Sequence, residues 1–399
     1  MYSTDSSSQK FAQHADVLQS SLVHVSSNTR SLQPFPQEIK VEPRGVALEG
    51  SVVVCEVASI GAHEKVENRS GELVTLKPGD KFIGVIGHRH STLSMYGGIP
   101  RSGISLPREE LCDLLSSGGL IGECYSAPSY LGNPTKLRLL GLATVDQQPL
   151  KIVPQVKAQS LRISCPLILI AGTSANVGKT KFASKLIHFL AHDLGRNVAA
   201  TKLAGAGDFD DLLNMAKHGA KYTFDFVDAG LASTYGDSRE LVVGVAKGVL
   251  NHLGEKRPDV IVAELGGDIL GAHVADILTD KEILAKASDI ILVPSDIFAA
   301  HGALSFLKVR GFSSHISIAQ PLKNPAISQK RARSILHTRL FDCEKTEDLG
   351  RLVERIDRWR SEKENPIKHP LDSSHTLKEK PVKHVPDPTP TALHAVTAP

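Results

Sequence analysis

Apolar and polar positions change their rhythm along this chain, and the changes divide it. From 45 to 155, short apolar or β-branched runs at 51–57, 72–76 and 82–87 are separated by turn residues such as Lys77-Pro78-Gly79-Asp80. Such spacing predicts strands and tight turns, with Gly84 marking a bend or a close backbone approach. The segment reads as a small β-rich, barrel-like domain. From about 165 the apolar runs at 167–171, 197–202, 223–227, 259–264, 289–294 and 316–319 alternate with helical spacing. Phe182, Leu186, Phe189 and Leu190 form one buried helical stripe that Gly195 closes. Further helices are expected from near Phe209 and over about 238–253. Alternation of this kind predicts an α/β domain at 160–358, with a mostly parallel, doubly wound sheet covered on both faces.

The two ends lack such patterns. Residues 1–44 are rich in Ser and Gln and are expected to be disordered or loosely docked; 359–399, rich in Lys, Pro and His, are expected to be a disordered tail.

Composition narrows the classes. The 399 residues are 41% hydrophobic and 22% charged, with a formal net charge of +3. So small an excess does not suggest nucleic acid or an anionic membrane as the main partner. No apolar run reaches the ~20 residues a bilayer span needs, and the N-terminus lacks a basic-then-apolar leader pattern, so a cytoplasmic location is expected. Cys55, Cys112, Cys124, Cys165 and Cys343 are scattered without a C-x-x-C pair, which argues against a zinc site or a disulfide framework.

The strongest chemical signal is Gly172-Thr173-Ser174-Ala175-Asn176-Val177-Gly178-Lys179-Thr180, entered from an apolar strand and left by a helix. Backbone amides in such a loop can turn inward around a phosphate, aided by the helix N-terminus. Thr173 through Thr180 are therefore read as nucleotide-binding, Lys179 as reaching the terminal phosphates and Thr180 as a magnesium ligand. The first glycine stands one place earlier than the usual G-x-x-x-x-G-K-[ST] spacing requires.

Ligands of parallel sheets lie beyond the carboxyl ends of the strands, so polar residues there are the next candidates. Lys202 could meet a substrate carboxylate or a transferring phosphoryl group. Glu264 and Asp211, with Thr180, supply oxygen ligands of the kind magnesium prefers. Asp208, in the loop at 203–208, and Asp225 and Asp228, which precede the loop at 229–235, are read as substrate-binding. In the β-rich domain, loops at 88–100 and 124–130 could line one groove for an anionic substrate, or simply be solvated turns. Lys323-Asn324-Pro325 could meet a nucleotide base, or form a turn.

These motifs resemble dethiobiotin synthetase and related P-loop ATPases across about 165–325. That family has the same early glycine, a following strand that ends in a substrate-contacting lysine, here Lys202, and a Glu-Gly-Ala-Gly-Gly segment similar to Glu264-Leu265-Gly266-Gly267. The resemblance implies a P-loop NTPase fold, ATP and Mg2+ as cofactors, and Thr180, Asp211 and Glu264 as metal ligands. Lys179 and Lys202 would be the catalytic cations, and a homodimer is implied. Ser174 and Ala175 replace the family's Asp-Thr, and the β-rich domain has no counterpart there. Ser174 stands where partition-type ATPases carry an extra lysine. A second resemblance, through Ala200-Thr201 and Asp225-Phe226-Val227, is to a family that includes D-glutamate N-acetyltransferases and implies that the loop could take the phosphates of coenzyme A.

The expected function is thus an ATP- and Mg2+-dependent ligase or kinase-like enzyme that activates a small carboxylate or similar oxyanion. The alternatives are acetyl transfer from acetyl-CoA and a nucleotide-dependent regulatory or cofactor-delivery protein.

Overall fold

The computed structural model describes residues 17–19, 23–320 and 325–364. In the N-terminal domain, the strand Val52–Ser59 pairs antiparallel with both Lys81–Ile86 and Lys136–Val145. Lys81–Ile86 runs parallel to Leu120–Ser126, and Cys112–Leu114 bridges that strand back to Lys136–Val145. The pairing closes a small barrel. Val53, Cys55, Val57, Phe82, Leu114 and Leu137 fill one core. Their neighbours Val52, Val54, Ile83 and Val85 belong to a second core that includes Ala232 of the following domain. Both faces are buried, which is why 51–57 reads as a continuous apolar run rather than an alternation. At Gly84 a Cβ would lie 2.5 Å from Ile121 Cδ1, so the close approach expected there is present.

Residues 1–44 are not loose from 23 onward, contrary to the expectation from their composition. Glu38–Glu42 pairs with Lys136–Val145, and His24–Val25 with Lys81–Ile86. Ser26 to Thr29 are fully buried. The burial is polar and therefore invisible to hydrophobic periodicity: Thr29 Oγ1 donates to Ser26 O at 2.8 Å and Ser27 Oγ to Glu67 Oε2 at 2.6 Å. Residues 1–16 lie outside the described residues.

The second domain comprises β1 (Leu167–Gly172), α1 (Lys179–His188), β2 (Val198–Ala204), α2 (Asp210–Lys217), β3 (Ala220–Thr223), α3 (Arg239–Gly254), β4 (Val260–Leu265), α4 (Val274–Leu278), α5 (Lys281–Lys286), β5 (Ala287–Val293), α6 (Ile297–Val309), β6 (Ser317–Ile318), α7 (Pro325–Arg331) and α8 (Thr346–Glu364). Its six strands are all parallel in the order β3-β2-β4-β1-β5-β6. Strand order and the loop after β1 give it the P-loop NTPase fold. One face of the sheet packs on α1 and α8 through Phe182, Leu186, Leu352 and Ile356. The other packs on α3 and α6 through Val245, Val249, Ala300 and Leu307.

Two boundaries differ from the sequence reading. The third strand ends at Thr223, and Phe226 and Val227 are buried in the turn that follows. Asp225 Oδ1 accepts from Val227 N at 2.9 Å and from Asp228 N at 3.0 Å, an Asx-type turn that replaces the expected strand. Helix α8 continues through 359 to Glu364, so the tail expected to be disordered begins helical; 365–399 lie outside the described residues. Arg360 anchors this end by donating to the Asp259 backbone carbonyl and, at 3.1 Å, to its carboxylate.

Candidate functional site

The loop after β1 turns through positive φ at Asn176 (56°) and Gly178 (101°). Among the described residues, the amide N–H groups of Ser174 through Gly178 donate to no acceptor. Unpaired amides converging at a helix start form an anion-binding nest. Lys179 is buried, and its Nζ donates to Ser174 O at 3.0 Å and Gly267 O at 2.7 Å, so the ammonium closes the loop onto the segment after β4. Gly172 makes room: a Cβ there would stand 2.9 Å from Lys179 Cδ. Burial pulls the Lys179 ammonium below its ordinary range, while Glu264 acts against that shift.

Thr180 Oγ1 donates to Glu264 Oε1 at 3.0 Å. The other oxygen, Glu264 Oε2, is buried with no partner among the described residues. Burial, then the neighbouring Asp211, raise this carboxyl to about 7. Asp211 is ion-paired with Lys202, which is itself 7% exposed. Burial pulls the Lys202 ammonium down, but Asp211, Asp208 and Glu264 together outweigh it and hold it above its ordinary value. Lys179, Thr180, Lys202, Asp211 and Glu264 are therefore gathered in one place.

The donor set fits a magnesium ion: a hydroxyl, a carboxylate with an orphaned buried oxygen, and a second carboxylate nearby. No group of three or more His, Cys, Asp or Glu among the described residues forms a metal cluster. An ion that keeps several waters and takes phosphate oxygens needs none. Thr180 and Glu264 would be its first protein ligands, with Asp211 beside them.

Three carboxylates expected to contact substrate have protein partners instead. Asp225 is fully buried, and both its oxygens accept from Arg30 Nη2, at 2.8 and 2.7 Å. Asp228 Oδ1 accepts from Arg30 Nε at 3.0 Å. Both are paired with the N-terminal segment. Asp208 accepts from Gly118 N at 2.7 Å and from Ser117 Oγ at 3.2 Å, again across the domain boundary. Burial would raise its carboxyl, but Arg89 and Lys202 lead the groups that hold it below its ordinary value. Lys323 and Asn324 lie outside the described residues, and Pro325 opens α7.

A cleft of about 620 Å³ opens between the domains, where Glu49, Lys151 and Asp237, which the sequence did not single out, join His88 and His90 of the loop at 88–100 and Tyr235 of the loop at 229–235. Glu49 Oε1 is buried without a partner among the described residues. Burial, then Asp237, push the Glu49 carboxyl up to about 7 against the opposing pull of Lys151. Burial, then His90, push His88 toward the neutral form. Glu49 sits in a turn, Asp237 in a bend and Lys151 in an isolated bridge to Ser51, with no motif around them; only folding brings them together.

For the loops at 88–100 and 124–130, read either as one groove or as solvated turns, the structure has His90, Ser91, Thr92, Ser94 and Tyr96 lining a second hollow of about 490 Å³ with Ser126, Ala127 and Pro128. Aromatic rings run from it toward the phosphate loop: Tyr125 to Tyr96 at 5.4 Å, Tyr96 to His90 at 5.1 Å, and His90 to Tyr235 at 5.3 Å. The Tyr235 hydroxyl lies 2.9 Å from where a Cβ on Gly267 would stand, and Gly267 O is the acceptor of Lys179. The cleft and the phosphate loop thus share a wall.

No family model matches the chain, and no curated protein matches it. Solved structures similar to it include a signal recognition particle receptor FtsY from Elizabethkingia anophelis, at 16% identity and TM-score 0.30, covering 40% of this chain. This chain spans about half, 51%, of that receptor's length. A ParA family ATPase from Chlorobium tepidum is 12% identical with TM-score 0.30, covering 51% of this chain and 94% of that one. A duf1611 family protein from Anabaena variabilis is 13% identical with TM-score 0.35, covering 52% and 63%. Among the described residues no helix is long and apolar enough to cross a membrane.

Proposed function

We propose that this chain is an ATP- and Mg2+-dependent enzyme that transfers a phosphoryl group to a small carboxylate or similar oxyanion held in the interdomain cleft. The observation that carries the reading is the set of unpaired amides from Ser174 to Gly178 beside Lys179, with the Thr180–Glu264 pair at the same loop. The amides and the Lys179 ammonium would bind the polyphosphate, Lys179 exchanging its two carbonyl partners for phosphate oxygens. Magnesium, when bound, would offset phosphate charge. Lys202, held cationic by its acidic neighbours, would face the charge that develops during transfer, so catalysis would be mainly positioning and electrostatic. In balance, an acceptor oxygen bonds to the terminal phosphorus as the bridging P–O bond breaks and ADP leaves.

Calorimetry with MgATP tests this. The wild type should bind, and Lys179→Ala should weaken binding about tenfold or more, the effect of losing a charged hydrogen-bond donor. Absence of binding, or equal affinity in the variant, would overturn the reading. Titration with acetyl-CoA in parallel separates it from acyl transfer.

A further inference from the structure

Helix α2 carries Asp211 in its first turn, and that turn is held from the other domain. Glu67, 1% exposed in the strand Lys65–Glu67, accepts the Phe209 backbone N–H on Oε2 at 2.6 Å, at the residue that caps α2. The same oxygen accepts Ser27 Oγ at 2.6 Å, and Glu67 N donates to Ser117 O at 2.7 Å, so the carboxylate is fixed within its own domain. A second bond, from Gly118 N to Asp208, grips the residue just before Phe209 at 2.7 Å. The domains meet tightly here: a Cβ on Gly118 would stand 2.8 Å from Gly207 O, and one on Gly207 2.9 Å from Asn28 Oδ1. Arg30 completes the grip, stacking 4.2 Å over the Phe209 ring while its guanidinium holds Asp225. In an ordinary capping box the carboxylate that reaches back to the cap N–H comes from the helix itself. In this chain a distant strand supplies it.

We propose that Glu67 is a positioning residue for Asp211, and that through it the N-terminal barrel sets how strongly the phosphate loop takes metal-bound nucleotide. The inference rests on the proposed nucleotide site. Among the described residues, Glu67 makes no hydrogen bond or ion pair with the loop or with Lys202. It fixes the Phe209 amide, Asp211 follows within the same turn, and Asp211 is ion-paired to Lys202 and electrostatically coupled to Glu264. Loosening the turn should disturb the metal side of the site and spare the amide nest, which hangs on β1 and α1.

The test uses the full chain and a non-hydrolysable ATP analogue, titrated with Mg2+ and again in EDTA. The affinity ratio between the two conditions reads the metal side alone. Glu67→Ala should lower that ratio about tenfold, as expected for loss of a charge-assisted hydrogen bond, with the EDTA affinity nearly unchanged. Glu67→Gln, which still presents an acceptor oxygen to Phe209 N, should restore most of it. Should Glu67→Ala fail to fold, Ser27→Ala, which leaves Glu67 in place but removes its hydroxyl partner, should lower the ratio by a smaller factor. An unchanged ratio in the foldable variant, or equal weakening in both conditions, overturns the inference alone. A wild type that binds no nucleotide overturns the site reading beneath it, and the inference with it.

Discussion

Thr180 and Glu264 are joined by a 3.0 Å hydrogen bond that links the start of α1 to the end of β4, and the second Glu264 oxygen is left buried without a partner among the described residues. Thr180→Val keeps the shape but removes the hydroxyl, leaving both carboxylate oxygens unpaired. The expected outcome is a loss of metal-dependent nucleotide affinity of about tenfold, with affinity in EDTA reduced far less. Paired titrations with and without Mg2+ would check it, and equal losses would contradict the assignment of Thr180 to the metal.

Arg30→Ala should be among the most destabilising single changes. It would leave Asp225, fully buried, and Asp228 without their cation. Breaking a buried ion pair from one side costs about 3–5 kcal/mol, and urea unfolding monitored by circular dichroism would measure it. Arg30→Met combined with Asp225→Asn should be less harmful than Arg30→Ala, because less uncompensated charge stays inside.

Two glycines separate strain from collision. Gly79 has φ of 90° with nothing within 4 Å of a would-be Cβ, whereas at Gly230, φ 101°, a Cβ would stand 1.9 Å from Val153 O. Gly79→Ala should cost about 1–2 kcal/mol from the left-handed backbone alone. Gly230→Ala must also displace the 153–154 backbone along one side of the cleft. Thermal unfolding of the two variants should differ clearly, and a similar loss in both would refute the packing described at that junction.

Glu49 gives a pH signature. Its carboxyl is raised to about 7, by burial first and Asp237 second, whereas an unfolded chain would release the proton near 4.5. Between those values the folded state binds more protons than the unfolded state, so this group's contribution to stability falls as pH rises and levels off above about 7. Glu49→Gln should therefore gain on the wild type from pH 5 to pH 7.5. Unfolding free energies at intervals across that range would show it, and a difference that stays constant with pH would refute it.

Much of the second domain was legible because its strands are buried on both faces and its loop has a fixed local geometry. Gly172 to Thr180, Lys202 and Glu264 could be found where strand ends must lie. Asp225 and Asp228 misled because a carboxylate at a strand end looks the same whether it awaits a substrate or an arginine from 195 residues away. Arg30 carried no signal, since a polar segment buried through hydrogen bonds has no apolar rhythm. Glu49, Lys151 and Asp237 likewise meet only after both domains have formed.

Arg30 also bears on how the chain can be divided. A cut near residue 45, where apolar patterning begins, would remove the guanidinium that pairs with Asp225 and Asp228 of the second domain. A fragment starting at about 160 would carry Asp225 as a bare charge in its interior and would present the Ala232 surface to solvent. The boundary drawn by composition is therefore not expected to mark autonomous folding, and a dissected second half should be recovered as aggregate until a polypeptide bearing the first half is supplied with it.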